Sequence, residues 1–252
     1  MSQSLQGMSV LLTRPLLQSQ VTSRKLEKLG AMIFVVPLLE VKANVNSDMT
    51  FWQNGFNPNI IIFSSPNAVR IVVESAGAEQ IQSFAGQIVV PGRGTAKELK
   101  KAGAKNVHYP QTTENSEGML DLALLREVKG RRVVIFRGQS GRELLANSLR
   151  ERGAEVRYVP VYSRQPCLEI DIDKIRDWLN QTNPILLLSS ETALNTMCSV
   201  LPETVRNRVW AQIVLVFGGR LKTLCQAKGW RGRIVVVDRP GDNGVAVALE
   251  SL

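Results

Sequence analysis

The chain has 252 residues, 44% of them hydrophobic and 21% charged, which describes a globular protein with ample core. No apolar run approaches the about 20 residues a membrane helix needs. Thirty-one Lys and Arg against 22 Asp and Glu leave a net charge of +9, which favours anionic partners such as phosphates, polycarboxylates or nucleic acid.

Nucleic acid is disfavoured by the layout. The basic residues are scattered, with no basic tail and no aromatic–basic RNA-binding signature. The opening MSQSLQGMSVLLTRP has no basic region followed by an apolar core, so no signal peptide is read there and a cytoplasmic protein is expected. Cys167, Cys198 and Cys225 form no C-x-x-C pair and predict reduced thiols. The single histidine, His108 in NVHYP, is too little for a His-rich metal site and reads as structural.

In chain order, the first element is a strand, VLLTRP at 10–15, ending in Arg14. A helical run follows at 16–30, with Leu17, Val21 and Leu29 on one face. Gly30 stands where a helix C-cap needs positive φ. A second strand exits through Val36-Pro37 into an extended run at 38–44. IIIFSSPNAVRIVV at 60–73 reads as a continuous apolar strand, a Ser/Pro turn and a helix. IVVPGRGTAKELKKAG at 88–103 repeats that plan with a glycine-rich turn. VVIFRG at 133–138 ends in Arg137, and the helical run at 140–153 carries Leu145 and Leu149 on one face. Gly153, another strand, Val159-Pro160 and a second extended run at 161–170 follow. ILLLSSETALNTMC at 185–198 and IVLVFGGRLKTLCQAKG at 213–229 are two further strand–turn–helix units.

The chain is written twice. Gly30-Ala31 answers Gly153-Ala154, and Val36-Pro37 answers Val159-Pro160, both at an offset of 123 (153 − 30 and 159 − 36). VLLTRP answers VVIFRG at the same offset, and the segment at 60–73 answers the one at 185–198. Continuous apolar strands alternating with helices predict parallel sheets covered on both faces. The fold class is therefore α/β, as two similar parallel-sheet domains. Either a plain split near residue 125 or a double crossing, with both extended runs as linker strands, fits the repeat.

In open parallel sheets ligands bind beyond the carboxyl ends of the strands, where helix N-termini suit anions. The strand-to-helix turns here are Ser64-Ser65-Pro66-Asn67, Pro91-Gly92-Arg93-Gly94-Thr95, Gly138-Gln139-Ser140-Gly141-Arg142, Ser189-Ser190-Glu191-Thr192 and Gly218-Gly219-Arg220. They are rich in N-cap residues, small residues and cations, and together suit a ligand with several negative groups. Singly, each Ser or Thr reads as an ordinary helix cap. No G-x-x-x-x-G-K-[ST] is present, and GRGTA at 92–96 follows a strand but is not G-x-G-x-x-G, so a nucleotide cofactor is not supported.

These segments resemble the uroporphyrinogen-III synthase family over nearly the whole chain. The marks are VLLTRP, FSSPNAV at 63–69, GRGTAKEL at 92–99, YPQTTENSEGMLDL at 109–122 and, strongest, GRRVVIFRGQSGRELLANSLRERGAEVRYVPVYSR at 130–164. The resemblance implies the double crossing: a discontinuous first domain of 1–37 and 168–252, an inserted second domain of 42–162, and linker strands at 38–41 and 163–167. It implies a cyclising hydro-lyase that closes the linear octacarboxylate hydroxymethylbilane into uroporphyrinogen III. Ring D is inverted and water is lost. No cofactor and no metal are implied. The partner is this small molecule, without nucleic acid or membrane, and the chain is expected to be a monomer.

The resemblance also implies site residues. Tyr162 in PVYSR maps to the family tyrosine that would protonate the leaving hydroxyl; its repeat counterpart is Leu39 (162 − 123). Substrate-binding positions carried over by motif are Arg14, Ser65, Asn67, Gly92, Arg93, Thr95, Arg137, Gly138, Arg142, Ser190, Thr192, Gly218, Gly219 and Arg220. Arg220 stands where many members have Thr, and Glu191-Thr192 replaces a common Pro-Ser. A carboxylate in a carboxylate site is unfavourable, so Glu191 is expected to point away. The rival readings are a non-catalytic two-domain binder of a polyanion, a solute receptor, against which the missing export signal argues, and a sugar-nucleotide transferase, which lacks its acidic ribose contact.

Overall fold

The computed structural model describes residues 4–44, 55–141, 143–238 and 241–252. The chain divides into two compact units, Met1–Glu40 with Gln165–Leu252, and Val41–Arg164. Among the described residues no helix is long and apolar enough to cross a membrane.

The first unit is built on a wholly parallel sheet. Its order is β11 (Ile234–Val236), β10 (Ile213–Val216), β9 (Pro184–Leu188), β1 (Ser9–Leu12), β2 (Met32–Val35). Successive side chains of a strand point to opposite faces, so an all-apolar strand fills two cores. Leu11, Leu186 and Val214 pack with Trp178, Leu194 and Val209. These come from α8 (Ile172–Leu179), α9 (Glu191–Val200) and α10 (Glu203–Val209), which share their face with α11 (Gly219–Ala227). Val10, Leu12, Ile185 and Leu215 pack on the other face with Leu26, Val245 and Leu249 of α1 (Leu16–Lys28) and α12 (Asp242–Glu250). Trp178 is fully buried and donates its indole N–H to the Ser9 carbonyl at 2.9 Å.

The second unit repeats this plan. Its sheet runs β8 (Glu155–Pro166), β7 (Arg132–Gly138), β4 (Ile60–Phe63), β5 (Gln87–Val89), β6 (Val107–His108), again parallel. Ile61, Phe63, Val134 and Phe136 face α2 (Pro66–Ala76), α3 (Ala78–Gln82) and α4 (Arg93–Lys101). Ile60, Ile62, Val133 and Ile135 face α5 (Ser116–Leu120), α6 (Ala123–Arg126) and α7 (Leu144–Glu151). The spatial order β8-β7-β4-β5-β6 matches β2-β1-β9-β10-β11 strand for strand, and every pair aligned by the sequence repeat occupies equivalent seats. β3 (Leu39–Ala43) lies beyond β8. Asn44 N–H bonds the Val161 carbonyl at 2.9 Å and Cys167 N–H bonds that of Leu38 at 3.0 Å, so the two crossings pair antiparallel.

One expected helix face is corrected. Leu17 and Val21 of α1 are 51% and 59% exposed, while Ser19 and Thr22 are buried. Those hydroxyls have partners: Ser19 donates to the Arg14 carbonyl at 2.8 Å and Thr22 to the Asp242 carboxylate at 2.6 Å. A hydrogen-bonded polar group is buried without the usual desolvation penalty, so α1 turns its polar flank inward at this end.

Candidate functional site

In each unit the chain leaves two adjacent strands toward opposite faces, which opens a crevice at their carboxyl ends. In the second unit these strands are β4, followed by α2, and β7, leading to α7. A cavity of about 480 Å³ opens there, bounded by Ser64, Ser65, Arg137, Gly138, Tyr158 and Tyr162, by Glu114 from the loop after β6 and by Glu117 in the first turn of α5. The size falls within the range of small-molecule sites.

Tyr162 reaches this place through a register slip. Along β8, Val159 and Val161 pack with the α2/α4 core, and Val156 and Tyr158 pack with the α5/α7 core. Strict alternation sends residue 162 to the side of Tyr158. Arg137 pairs with Pro160 but Gly138 pairs with Tyr162, so Val161 is an extra residue in the ladder. The bulge switches the parity, and Tyr162 joins the α2/α4 face. Its ring lies over Gly138, where a Cβ would come within 2.9 Å of Cε2. Its hydroxyl sits 3.1 Å from Ser65 Oγ. The phenol is 5% exposed, and the Arg164 guanidinium lies 5.9 Å from the ring centre.

Ser65 is the N-cap of α2: its Oγ accepts the Ala68 N–H at 3.3 Å. Asn67, buried in the first turn, accepts from Arg70. Gly92 is the N-cap of α4 and has no side chain to offer. The seat above it is taken by Glu114, whose Oε1 accepts the Arg93 N–H at 3.3 Å. Arg93 is exposed and Thr95 is 2% exposed.

Arg137 is 8% exposed and wrapped by its own loop. Its Nη1 donates to the Glu143 carboxylate at 2.9 Å, its Nε to the Gly138 carbonyl at 3.2 Å, and it lies 4.5 Å from the centre of the Tyr158 ring. The Tyr158 hydroxyl and then Arg137 hold the Glu143 carboxyl below its usual range, against some desolvation. Burial, followed by Glu143, pushes the Tyr158 phenol up. Arg142 lies outside the described residues.

The first unit offers the equivalent edge. Arg14 Nη1 is 3.4 Å from Asp242 Oδ1. Ser190 caps α9, accepting the Ala193 N–H at 3.2 Å. Gly218, with φ 88°, caps α11, a left-handed conformation that favours glycine. Gly219, Arg220 and Thr192 are exposed. Glu191 does not point away: its Oε2 accepts from Arg220 at 2.7 Å, and both residues border a shallow pocket with Ser189, Ser190 and Phe217. The cation beside it neutralises the carboxylate, a pairing invisible when either turn is read alone.

Glu114, Glu143 and Tyr158 at this site were not singled out from the sequence. Glu143 stands directly before Leu144-Leu145 at the head of a helical run and reads as helix surface. Tyr158 reads as a strand residue. Only the approach of Glu143 and Tyr158 to Arg137, and of Glu114 to the Arg93 N–H, gives them a role.

Residues 20–243 match the family described as Uroporphyrinogen-III synthase HemD. A uroporphyrinogen-III synthase of Salmonella typhimurium is 28% identical over 255 residues, covering 96% of this chain and all of the relative. One from Proteus mirabilis is 33% identical over 163 residues, covering 62% of this chain and 80% of the relative. The crystal structure of the Helicobacter pylori uroporphyrinogen-III synthetase shares the fold with a TM-score of 0.62 at 14% identity, over 97% of this chain and 100% of that one.

Proposed function

The chain belongs to the uroporphyrinogen-III synthase family, and from that premise we propose how its own residues carry out the reaction. The enzyme cyclises hydroxymethylbilane to uroporphyrinogen III, inverting ring D and releasing water, in tetrapyrrole biosynthesis. The unassisted reaction closes the same compound without inversion, so the protein's main task is geometric. Holding two ends of a flexible chain in reactive orientation is worth about 7–11 kcal/mol in favourable cases.

Tyr162 is the general acid in this reading. Its phenol protonates the hydroxyl of the terminal hydroxymethyl group as the C–O bond breaks, and the electron pair leaves with water. The azafulvenium cation that remains is attacked by the substituted α-carbon of ring D. The spiro intermediate fragments and recloses, and the proton released by the ring carbon returns to the phenolate. The supporting observation is a nearly buried phenol, held by a helix-capping serine, at the crevice where parallel sheets bind ligands.

The substrate's carboxylates are received by turn N–H groups and cations in each unit. These are Ser65, Asn67, Gly92, Arg93, Thr95, Arg137, Gly138 and Arg142 in one, and Arg14, Ser190, Thr192, Gly218, Gly219 and Arg220 in the other. The two units are taken as domains of 1–37 with 168–252 and of 42–162, and the enzyme as a cytoplasmic monomer with no nucleic-acid or membrane partner. The test is product-isomer analysis after supply of hydroxymethylbilane. The wild type is expected to give the type III isomer. Tyr162→Phe is expected to lower kcat about 10²-fold or more with its melting temperature unchanged. Type I product alone from wild type overturns the synthase reading, and wild-type kcat in Tyr162→Phe overturns the choice of acid.

A further inference from the structure

We propose that the hydroxyl of Ser65 is a positioning group that sets the direction of the Tyr162 proton, a role separate from that of the Ser65 turn N–H in receiving a carboxylate. The inference rests on the reading of Tyr162 as the acid.

A serine hydroxyl has one proton to give and an oxygen that accepts. The Ser65 oxygen already accepts the Ala68 N–H at the head of the 11-residue helix α2. The phenol oxygen of Tyr162 stands 3.1 Å away. Two arrangements satisfy that distance. If the phenol donates to Ser65, its proton is tied to the serine and unavailable for the leaving group. If Ser65 donates to the phenol, the phenol's proton is turned off the serine and into the cavity that both residues border. Only the second arrangement is productive.

The helix favours it. Donation by Ala68 N–H and the positive end of α2 polarise the Ser65 hydroxyl, which makes it a better donor and a worse acceptor. When the proton passes to the leaving hydroxyl, the same Ser65 O–H meets the phenolate. The proton released on reclosing restores the phenol, so the cycle balances without another reactant.

The duplicated unit supplies an internal comparison. Ser190 caps α9 as Ser65 caps α2, with a matching bond from Ala193. The residue matching Tyr162 there is Leu39, 5% exposed in an apolar core. The same cap exists twice, and a phenol hydroxyl meets it only at Ser65. The bulge at Val161 and the bare backbone of Gly138 are what bring the phenol to it.

The experiment measures kcat, KM and melting temperature for Ser65→Ala, Ser65→Gly and Ser65→Thr, each with Tyr162 and with Tyr162→Phe. Glycine is tolerated at an N-cap and Ser65 has extended backbone, φ −166°, so Ser65→Gly keeps the helix while removing the hydroxyl. Expected are kcat about tenfold lower in Ser65→Ala and Ser65→Gly with KM within about twofold, and recovery in Ser65→Thr. In the Tyr162→Phe background the Ser65 substitutions are expected to change kcat no further. Wild-type kcat in Ser65→Gly, a raised KM at unchanged kcat, or an equal loss in both backgrounds overturns the role of Ser65. Wild-type kcat in Tyr162→Phe overturns instead the acid on which the inference rests.

Discussion

Gly138→Ala isolates the seat of the phenol from its chemistry. A methyl group at this position lies 2.9 Å from Tyr162 Cε2, 3.0 Å from Cζ and 3.2 Å from Oη. Carbon atoms in contact prefer about 3.5–4.0 Å, so the ring must withdraw by roughly 0.5–1 Å. The Ser65–Tyr162 contact of 3.1 Å then opens beyond hydrogen-bonding distance. Gly138 is not among the glycines with positive φ, so alanine brings no backbone strain. Restricting the unfolded chain stabilises by about 0.4–1 kcal/mol. Crowding against the ring opposes this by about 1–3 kcal/mol, at the low end because the ring tip borders a cavity. Net stability should therefore fall by no more than about 2 kcal/mol. Catalysis should suffer far more, since a displacement of about 1 Å at a reacting group can cost about 10²-fold. The assay is the rate of uroporphyrinogen III formation from hydroxymethylbilane, with isomers separated chromatographically, beside a thermal melt. A folded Gly138→Ala enzyme with wild-type kcat would refute the argument that this close approach aims the acid.

Three further outcomes are expected. Glu114→Gln removes the carboxylate that sits on the Arg93 N–H and should lower KM for the octacarboxylate about two- to fivefold, the modest scale of an exposed charge; a higher KM would make Glu114 part of the binding surface. Glu143 has a carboxyl held low by Tyr158 and Arg137, so its stabilising effect is present above the unfolded carboxyl value and fades as pH falls through the lowered one. The melting temperatures of wild type and Glu143→Gln should thus differ at pH 7 and draw together as the pH falls past the ordinary carboxyl range and through the lowered one, and a constant gap would remove the ion pair as its cause. Burial, and then Cys198, push the Cys225 thiol up to about 11, so iodoacetamide at pH 8 should label Cys225 only after unfolding; rapid labelling in the native protein would contradict that burial.

The fold was legible because duplication makes a weak signal count twice. One strand–helix–strand stretch is ambiguous, but the same Gly-Ala and Val-Pro punctuation at an offset of 123 fixes where each strand stands. The strands themselves are fully apolar, which a sheet covered on both faces requires, as in the uniformly buried β1 and β4. The failures are of another kind. Periodicity gave α1 an apolar inner face of Leu17 and Val21, while hydrogen bonds from Ser19 and Thr22 decide the orientation there. The parity of Tyr162 was equally hidden. VPVY reads as regular alternation, and nothing in those four letters marks Val161 as an inserted residue. Serines 65 and 190 were legible as caps, and both are caps. That one of them also meets a phenol depends on a residue 97 positions away.

The electrostatics of the strand ends carry a last consequence. A net charge of +9 invites a picture of bare cations awaiting an octa-anion. The structure instead gives the strand-end groups acids of the chain's own: Arg14 has Asp242, Arg137 has Glu143, Arg220 has Glu191, and the head of α4 has Glu114. If these groups bind the substrate as proposed, each incoming carboxylate exchanges with an internal one. Each exchange trades one ion pair for another of similar kind, so its net contribution is small next to the gross attraction. General charge still draws the anion in, but these sites reward only a ligand that presents several carboxylates at the right spacings together. Within each unit, such a strand edge is poor at holding any single anion tightly and good at selecting a ligand with several. Imposing a conformation is what inversion of a terminal ring demands, and in the mechanism proposed above it leaves the Tyr162 phenol, brought to Ser65 by the bulge at Val161, as the one chemical group required.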